Sequence, residues 1–249
     1  MKKMGFTLAE VLITLGIIGV VAALVMPGLI ANYQKKVLTT QITRASNIIQ
    51  NAARLYMAKE EMSDLYNGNG DNPDEMNPYI NDFMKASFNV ARDCTSSLSG
   101  CFADSYININ KDPLDDGRSN WQNCYALVSG ESVCIFYFSD SAWGGPSMMG
   151  IVQYSLVSPA TVVVDTNGKK GPNTLGRDLF VMELDANGTL QTLAQQDVLM
   201  PGACMYGGAC NPATSMSTTC TEATTLLNVV IGSGLCFDSI ISDGWQMKY

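Results

Sequence analysis

The chain is apolar from residue 6 to residue 30 with almost no interruption. An α-helix over residues 6–27 would extend about 31 Å at about 1.5 Å per residue, which matches the hydrocarbon thickness of a bilayer. Glu10 is the one ionisable side chain in this stretch, and such a group costs on the order of 3 kcal/mol at the membrane centre. The pattern predicts a membrane-spanning helix over residues 6–30, in which Glu10 needs a functional explanation.

Beyond residue 30 the apolar positions become periodic. Those spaced alternately by four and three residues are Leu38, Ile42, Ala45, Ile49, Ala52 and Tyr56. This spacing places them in one stripe of a helix, which is most often packed on a sheet, with coiled-coil dimerisation as the alternative. Asn and Gly residues over 67–70 then break the pattern. We expect an amphipathic helix over residues 31–61 that joins the membrane helix to a globular domain over residues 62–249.

The globular part contains short apolar runs that flank turn residues. The paired runs are 124–128 with 133–138, 151–157 with 161–164, and 179–184 with 189–193. Such pairs predict antiparallel strands. Residues 66–120 and 197–249 are richer in Gly, Pro, Asn, Ser and Cys, which predicts decorated loops with short helices. The expected fold class is α+β, with a long amino-terminal helix packed on an antiparallel β-sheet with disulfide-stapled loops.

All eight cysteines follow the predicted helix. They are Cys94, Cys101, Cys124, Cys134, Cys204, Cys210, Cys220 and Cys236. An even number in the part beyond a membrane span indicates disulfides in an oxidising compartment. Zinc is the alternative, but the chain has no Cys-x-x-Cys pair and no histidine. Eight cysteines allow 105 pairings. We expect sequence neighbours to pair: Cys94 with Cys101, Cys124 with Cys134, Cys204 with Cys210, and Cys220 with Cys236.

Charge and composition bear on the function class. The chain has 15 Lys and Arg against 23 Asp and Glu, a formal charge of -8, so its surface gives no general attraction to nucleic acid. The absence of histidine excludes a Ser-His-Asp triad and a Cys-His pair. Asp112, Asp115 and Asp116 lie in a turn-like Asp-Pro-Leu-Asp-Asp-Gly segment, where acidic residues are ordinary. We predict that the chain is not an enzyme.

A loop after residue 164 could hold a cation. Asp165, Asn167 and the later Asp178 offer oxygen ligands around a glycine, an arrangement similar to calcium-binding loops. The glycine is in the fourth position, whereas an EF-hand has it in the sixth, and two lysines interrupt the loop. The same residues also predict a tight turn between strands without metal. Both interpretations stay open, with the turn favoured.

The amino-terminal residues resemble the processing motif of type IV prepilins and type II secretion pseudopilins. The resemblance covers about the first 35 residues. The residues that carry it are Gly5, Phe6, Glu10, Gly16, Gly19 and Pro27. Gly16 and Gly19 are small residues of the kind that let neighbouring helices approach closely, and Pro27 falls where the family tends to have a helix-loosening proline.

The resemblance implies a processing and assembly route. A prepilin peptidase would remove the leader, residues 1–5, after Gly5, and the new amino terminus at Phe6 would be methylated. Glu10 would then meet the terminal amine of a neighbouring subunit inside a filament. Loss of Lys2 and Lys3 leaves 13 basic residues against 23 acidic ones, or -10. The implied partners are other pilin-like subunits, the peptidase, an inner-membrane assembly platform and membrane lipid.

The resemblance also bears on two features of the globular domain. Some type II secretion pseudopilins hold calcium in a loop beside the sheet, as proposed above for Asp165, Asn167 and Asp178. The last predicted disulfide, Cys220 with Cys236, would close a loop similar to the disulfide-bounded loop of many pilins.

Two plainer interpretations of the amino-terminal segment remain. A secretory signal peptide could be cut near Val20-Val21-Ala22, but its apolar core would usually be about 7 to 15 residues and would not contain Glu10. A simple membrane anchor explains the length but not the glutamate.

The basic residues on both sides of the span give a poor positive-inside asymmetry. The cysteines therefore orient the chain, with its amino end cytoplasmic and its globular domain on the periplasmic side of a bacterial inner membrane.

Three functional classes fit this sequence. They are a type IV pilus subunit, a pseudopilin of a secretion or DNA-uptake machine, and a membrane-anchored adhesin or binding protein that uses a pilin-type anchor. The length of 249 residues and the cysteine-rich loops favour a minor pilin or pseudopilin over a major pilin. After assembly we expect the protein in a periplasmic or cell-surface filament.

Overall fold

The computed structural model describes residues 7–66, 73–114, 118, 121–136, 160–191 and 234–249. Several sequence predictions fall outside these residues. They concern the leader with Gly5 and Phe6, the run 151–157, Asp115, Asp116, and the cysteines at 204, 210 and 220.

One helix dominates the structure. α1 runs over Leu8–Lys59, 52 residues, and passes through Pro27 and the predicted boundary at residue 30 without interruption. It begins at Thr7, the N-cap, because the Thr7 side chain accepts a hydrogen bond from the Glu10 N–H while the Glu10 carboxylate accepts from the Thr7 N–H. Only the surroundings of the helix change along its length, since burial starts at Leu38.

The predicted apolar stripe is the face of α1 that packs on the domain. Leu38, Ile42, Ala45, Ile49 and Ala52 are all buried. The next turn of the helix presents Tyr56, whose ring meets Phe83 edge to face with 5.2 Å between ring centroids. Ala53 is also buried, against the turn at Gly188. This face is the part of α1 that belongs to the hydrophobic core.

Within the described residues, the sheet has six antiparallel strands, and each pairs with the next described strand in sequence. Its strands are β1 (Val90–Asp93), β2 (Cys124–Leu127), β3 (Ser132–Phe136), β4 (Ala160–Asp165), β5 (Leu179–Leu184) and β6 (Leu190–Gln191). The predicted hairpins of β2 with β3 and of β5 with β6 are confirmed. β4 pairs with β3 and β5. The expected α+β arrangement of a long apolar helix and an antiparallel sheet is present.

Two further helices complete the described fold. α2 (Pro73–Ser87) packs on α1 and buries Met76, Ile80, Phe83 and Met84, which recur at helical spacing. α3 (Gly234–Ser242) lies against β5. The sequence predicted only short helices within loops over 66–120, whereas that region contains the 15-residue α2 and the edge strand β1.

Gly188 lets the β5–β6 turn approach α1 closely. A Cβ at this position would lie 2.9 Å from the Ala53 Cβ, and its backbone has a φ of +70°, which side-chain-bearing residues rarely adopt. The turn therefore needs glycine twice, for its conformation and for its contact with the helix. This contact fixes one edge of the sheet against the upper part of α1, the part that is buried from Leu38 onward.

Candidate functional site

The first half of α1 is an apolar surface that no other described residue buries. Among the described residues, α1 is the one helix long and apolar enough to cross a membrane, and its most apolar 18-residue window has a mean hydropathy of 2.5 and no buried residue. Large side chains such as Leu8, Ile18 and Leu24 are mostly exposed. A contiguous apolar surface of this size indicates an interaction with lipid or with other protein chains.

Glu10 forms a capping box with Thr7 at the start of this helix. Its Oε2 accepts hydrogen bonds from the Thr7 N–H at 2.7 Å and from the Thr7 hydroxyl at 2.8 Å. Its other oxygen, Oε1, has no donor among the described residues. The negative charge also lies at the positive end of the helix dipole. Among the described residues, the chain thus provides donors to one oxygen of this carboxylate and none to the other.

The Thr7–Glu10 contact has a sequence signal of its own. Thr7-Leu8-Ala9-Glu10 is the Ser/Thr-x-x-Glu pattern of a capping box before an apolar run. Sequence reasoning treated Glu10 only as an assembly residue and did not use this pattern. Phe6, its predicted partner, lies outside the described residues.

Gly16 and Gly19 lie on the exposed part of α1. A Cβ built on either residue would have nothing within 4 Å. The two positions are three residues apart and so share one face of the helix. The helix-packing role predicted for them therefore stays a prediction, while Pro27 lies within the continuous helix.

The described cysteines form disulfides as expected from the sequence. Cys94 pairs with Cys101, and Cys124 pairs with Cys134 across the β2–β3 hairpin. Cys236 is also disulfide-bonded, and its predicted pairing with Cys220 lies outside the described residues. Disulfide-bonded cysteines after β1, on β2 and β3, and on α3 are typical of a domain that folds in an oxidising compartment.

The three predicted calcium ligands lie together at one end of β4 and β5. Asp165 and Asp178 are fully buried. The side-chain amide of Asn167 lies between them, with its terminal atoms 3.3 Å from Asp165 Oδ1 and 3.4 Å from Asp178 Oδ2. The structure therefore brings Asp178 next to Asp165 and Asn167, which precede it by thirteen and eleven positions, as the metal hypothesis requires.

All four carboxylate oxygens of this cluster already accept hydrogen bonds. Asp165 accepts from the Tyr106 hydroxyl at 2.5 Å and from the Asn167 N–H at 3.1 Å. Asp178 accepts from the Thr174 N–H at 2.6 Å and from the Asn173 N–H at 2.7 Å. These bonds hold the turns around β4 and β5, as the turn interpretation predicts. Calcium stays a prediction, since this cation takes six to eight oxygen ligands.

Burial controls the protonation of the two aspartates. It raises the pKa of Asp165 to about 8, opposed by the hydrogen bond from Tyr106 and reinforced by the nearby Asp178. Burial also raises the pKa of Asp178, opposed by the backbone N–H groups of Thr174 and Asn173. The pair is costly to ionise without a cation. A bound cation would favour the ionised form of both groups.

The comparisons with known proteins give no relative. No protein family, curated protein or solved structure matches the chain.

Proposed function

We propose that the chain is a pilin-like subunit, a minor pilin or pseudopilin. Residues 8–31 of α1, its lower part, would anchor it in a bacterial inner membrane, and the same surface would assemble it into a filament. The observation that carries the proposal is that one continuous helix is apolar and uncovered over residues 8–31 and packed into a disulfide-bonded domain beyond residue 37. A filament subunit needs both a membrane-soluble assembly surface and a folded head. The role is structural and not catalytic.

The proposed topology follows from the disulfides. The bonds Cys94–Cys101 and Cys124–Cys134 lie in the domain on one side of the span, and such bonds persist on the oxidising side of the bacterial inner membrane. The amino end then lies in the cytoplasm, where a prepilin peptidase would remove residues 1–5. The mature chain would begin at Phe6.

In this proposal Glu10 supports assembly through Oε1, the oxygen that the capping box does not use. The capping box uses Oε2, so Oε1 can accept a hydrogen bond from the terminal ammonium of a neighbouring Phe6 without breaking the helix cap. At about 4 Å and an effective dielectric near 20, this attraction amounts to about 4 kcal/mol before desolvation is subtracted. The contact requires both the glutamate and the cut after Gly5, so processing would gate assembly.

The test compares Glu10→Gln with Glu60→Gln, which changes an exposed glutamate beyond the other end of α1. We expect both variants to be produced, inserted and processed. Sheared filament yield should fall at least tenfold for Glu10→Gln and stay unchanged for Glu60→Gln. Equal yields from the two variants would count against the pairing mechanism.

Processing is tested separately by mass spectrometry of the amino terminus. Native protein should begin at Phe6, and Gly5→Leu should retain the leader. Recovery of native protein that begins at Met1, or downstream of Ala22, would contradict the pilin-like assignment and favour a plain anchor or a secretory peptide.

A further inference from the structure

A groove runs along α1 just beyond its uncovered apolar part. It has a volume of about 840 Å³ and lies between one face of the helix over residues 32–51 and the carboxyl-terminal segment 244–247. On the helix the lining positions recur every three to four residues, so they form one continuous stripe. Apart from Ile48 this stripe is polar, unlike the buried stripe that starts at Leu38. Nothing in the assembly mechanism uses it.

The charge of the groove is opposite to that of the chain. Lys35, Lys36 and Arg44 line it, and no Asp or Glu is among its described lining residues, although the whole chain carries -8. Arg44 is partly neutralised, since its Nε lies 3.4 Å from the buried Glu131. Neither lysine forms an ion pair within the described residues. The lower end of the groove therefore presents two uncompensated cations.

The groove also offers a side-chain amide and an aromatic wall. Asn32 lines it beside the lysines. Trp245 forms part of the opposite wall and is 38% exposed, while its ring is held edge to face on Phe237 at 5.9 Å between centroids. Lysine, asparagine and tryptophan side chains together suit a phosphate group joined to an apolar body.

The position of the lysines selects the source of that phosphate. Lys35 and Lys36 lie five and six residues beyond Ile30, or about 7 to 9 Å along the helix. If residues 6–30 span the hydrocarbon, this distance corresponds to the headgroup layer, which is roughly 5 to 8 Å deep on each side of the membrane. We propose that the lower end of the groove binds the phosphate headgroup of an anionic phospholipid through Lys35 and Lys36. The inference rests on the membrane anchoring proposed above.

The experiment uses the full chain in detergent, titrated separately with short-chain phosphatidylglycerol, short-chain phosphatidylcholine and inorganic phosphate, with native mass spectrometry as the readout. We expect phosphatidylglycerol to bind roughly tenfold more tightly than phosphatidylcholine, and inorganic phosphate to bind weakly. The double variant Lys35→Gln/Lys36→Gln should lose this preference, since each lysine near a membrane surface contributes about a fewfold gain in affinity. A thermal melt verifies that the variant folds.

Lys169→Gln/Lys170→Gln is the matched control, because these adjacent exposed lysines lie on the β4–β5 loop away from the groove. It should keep the preference. Equal binding of the two lipids by the native chain, or equal loss in both double variants, would overturn the proposal. Phosphate binding as tight as that of phosphatidylglycerol would show a free-anion site instead. Normal lipid preference with a loss of filaments in the groove variant would assign the groove to a neighbouring copy.

Failure of this inference can be separated from failure of the proposed function. The same preparations report membrane recovery and the mass of the amino terminus. A chain that inserts and is processed but has no preference for anionic lipid would refute only the headgroup site. A chain absent from the membrane fraction would refute the anchor itself.

Discussion

The two halves of α1 share one backbone conformation but differ in what surrounds them. Residues 8–36 contain no buried side chain, whereas the stripe that begins at Leu38 lies in the core. The difference extends to carboxylates, because Glu10 has one oxygen without a donor among the described residues while both oxygens of Asp165 and of Asp178 accept hydrogen bonds. The two buried aspartates thus have all their carboxylate oxygens engaged within the domain, whereas the side chains of residues 8–36 are not buried by any described residue.

The largest expected effect comes from truncating one isoleucine in each half of α1. Ile49 is fully buried and Ile18 is 63% exposed. Ile49→Ala should lower the free energy of unfolding by about 2 to 5 kcal/mol because it leaves a cavity. Ile18→Ala should change it by less than about 0.5 kcal/mol. Urea unfolding of the full chain in detergent measures both, and similar losses would show that the lower half is packed on the head.

The contact between the sheet and the upper half of α1 can be tested at Gly188. Gly188→Val adds a side chain against Ala53, at a φ of +70°. Gly130→Val is the control, since its φ is +107° but a Cβ there meets nothing within 4 Å. Both variants carry backbone strain, and Gly188→Val should lose about 1 to 3 kcal/mol more through overpacking. Equal melting temperatures would place the turn away from the helix.

The buried aspartates predict that the folding stability of the globular domain depends on pH. Because the pKa of Asp165 is raised to about 8 when folded, the folded chain holds a proton that the unfolded chain releases near pH 4. Stability should therefore fall as the pH rises from about 4 to about 8. Asp165→Asn should flatten this slope by up to about 1 kcal/mol per pH unit, whereas the exposed Asp104→Asn should not. Melting curves at pH 5 and pH 8 measure the difference.

Chelation gives the smallest expected effect. Because the oxygens of Asp165 and Asp178 already accept hydrogen bonds, we expect EDTA to leave the melting temperature of the full chain unchanged at neutral pH. A fall in melting temperature that added calcium reverses, and that is lost in Asp178→Asn, would instead establish the calcium site predicted from the sequence.

The long helix and the hairpins could be predicted because their periodicity survives in the structure. The stripe from Leu38 to Ala52 needs only spacing to be recognised, and the β5–β6 turn has strong turn residues at Asn187 and Gly188. α2 was not predicted because Pro73 and Pro78 suggest a loop, although Pro73 is the first residue of the helix, where proline is tolerated. β1 is mostly exposed and has no apolar alternation.

The candidate sites also differ in whether the sequence could predict them. The capping pair Thr7 and Glu10 is local and has a sequence pattern, and the aspartates of the β4–β5 loop could be grouped from their spacing. The groove could not be predicted, because it depends on Trp245 reaching α1 from some two hundred residues away. Tertiary packing alone makes Trp245 line the same groove as Lys35 and Lys36.

Pro27 gives the uninterrupted α1 a defined mechanical property. Proline has no N–H, so the carbonyl of Ala23 lacks its usual donor one turn later in the helix. The interval 23–27 thus contains the least costly backbone turn to elongate, and it lies eleven residues below Leu38, where packing on the head begins. In the filament proposed above, axial tension would lengthen each subunit first in this interval while its head keeps its shape.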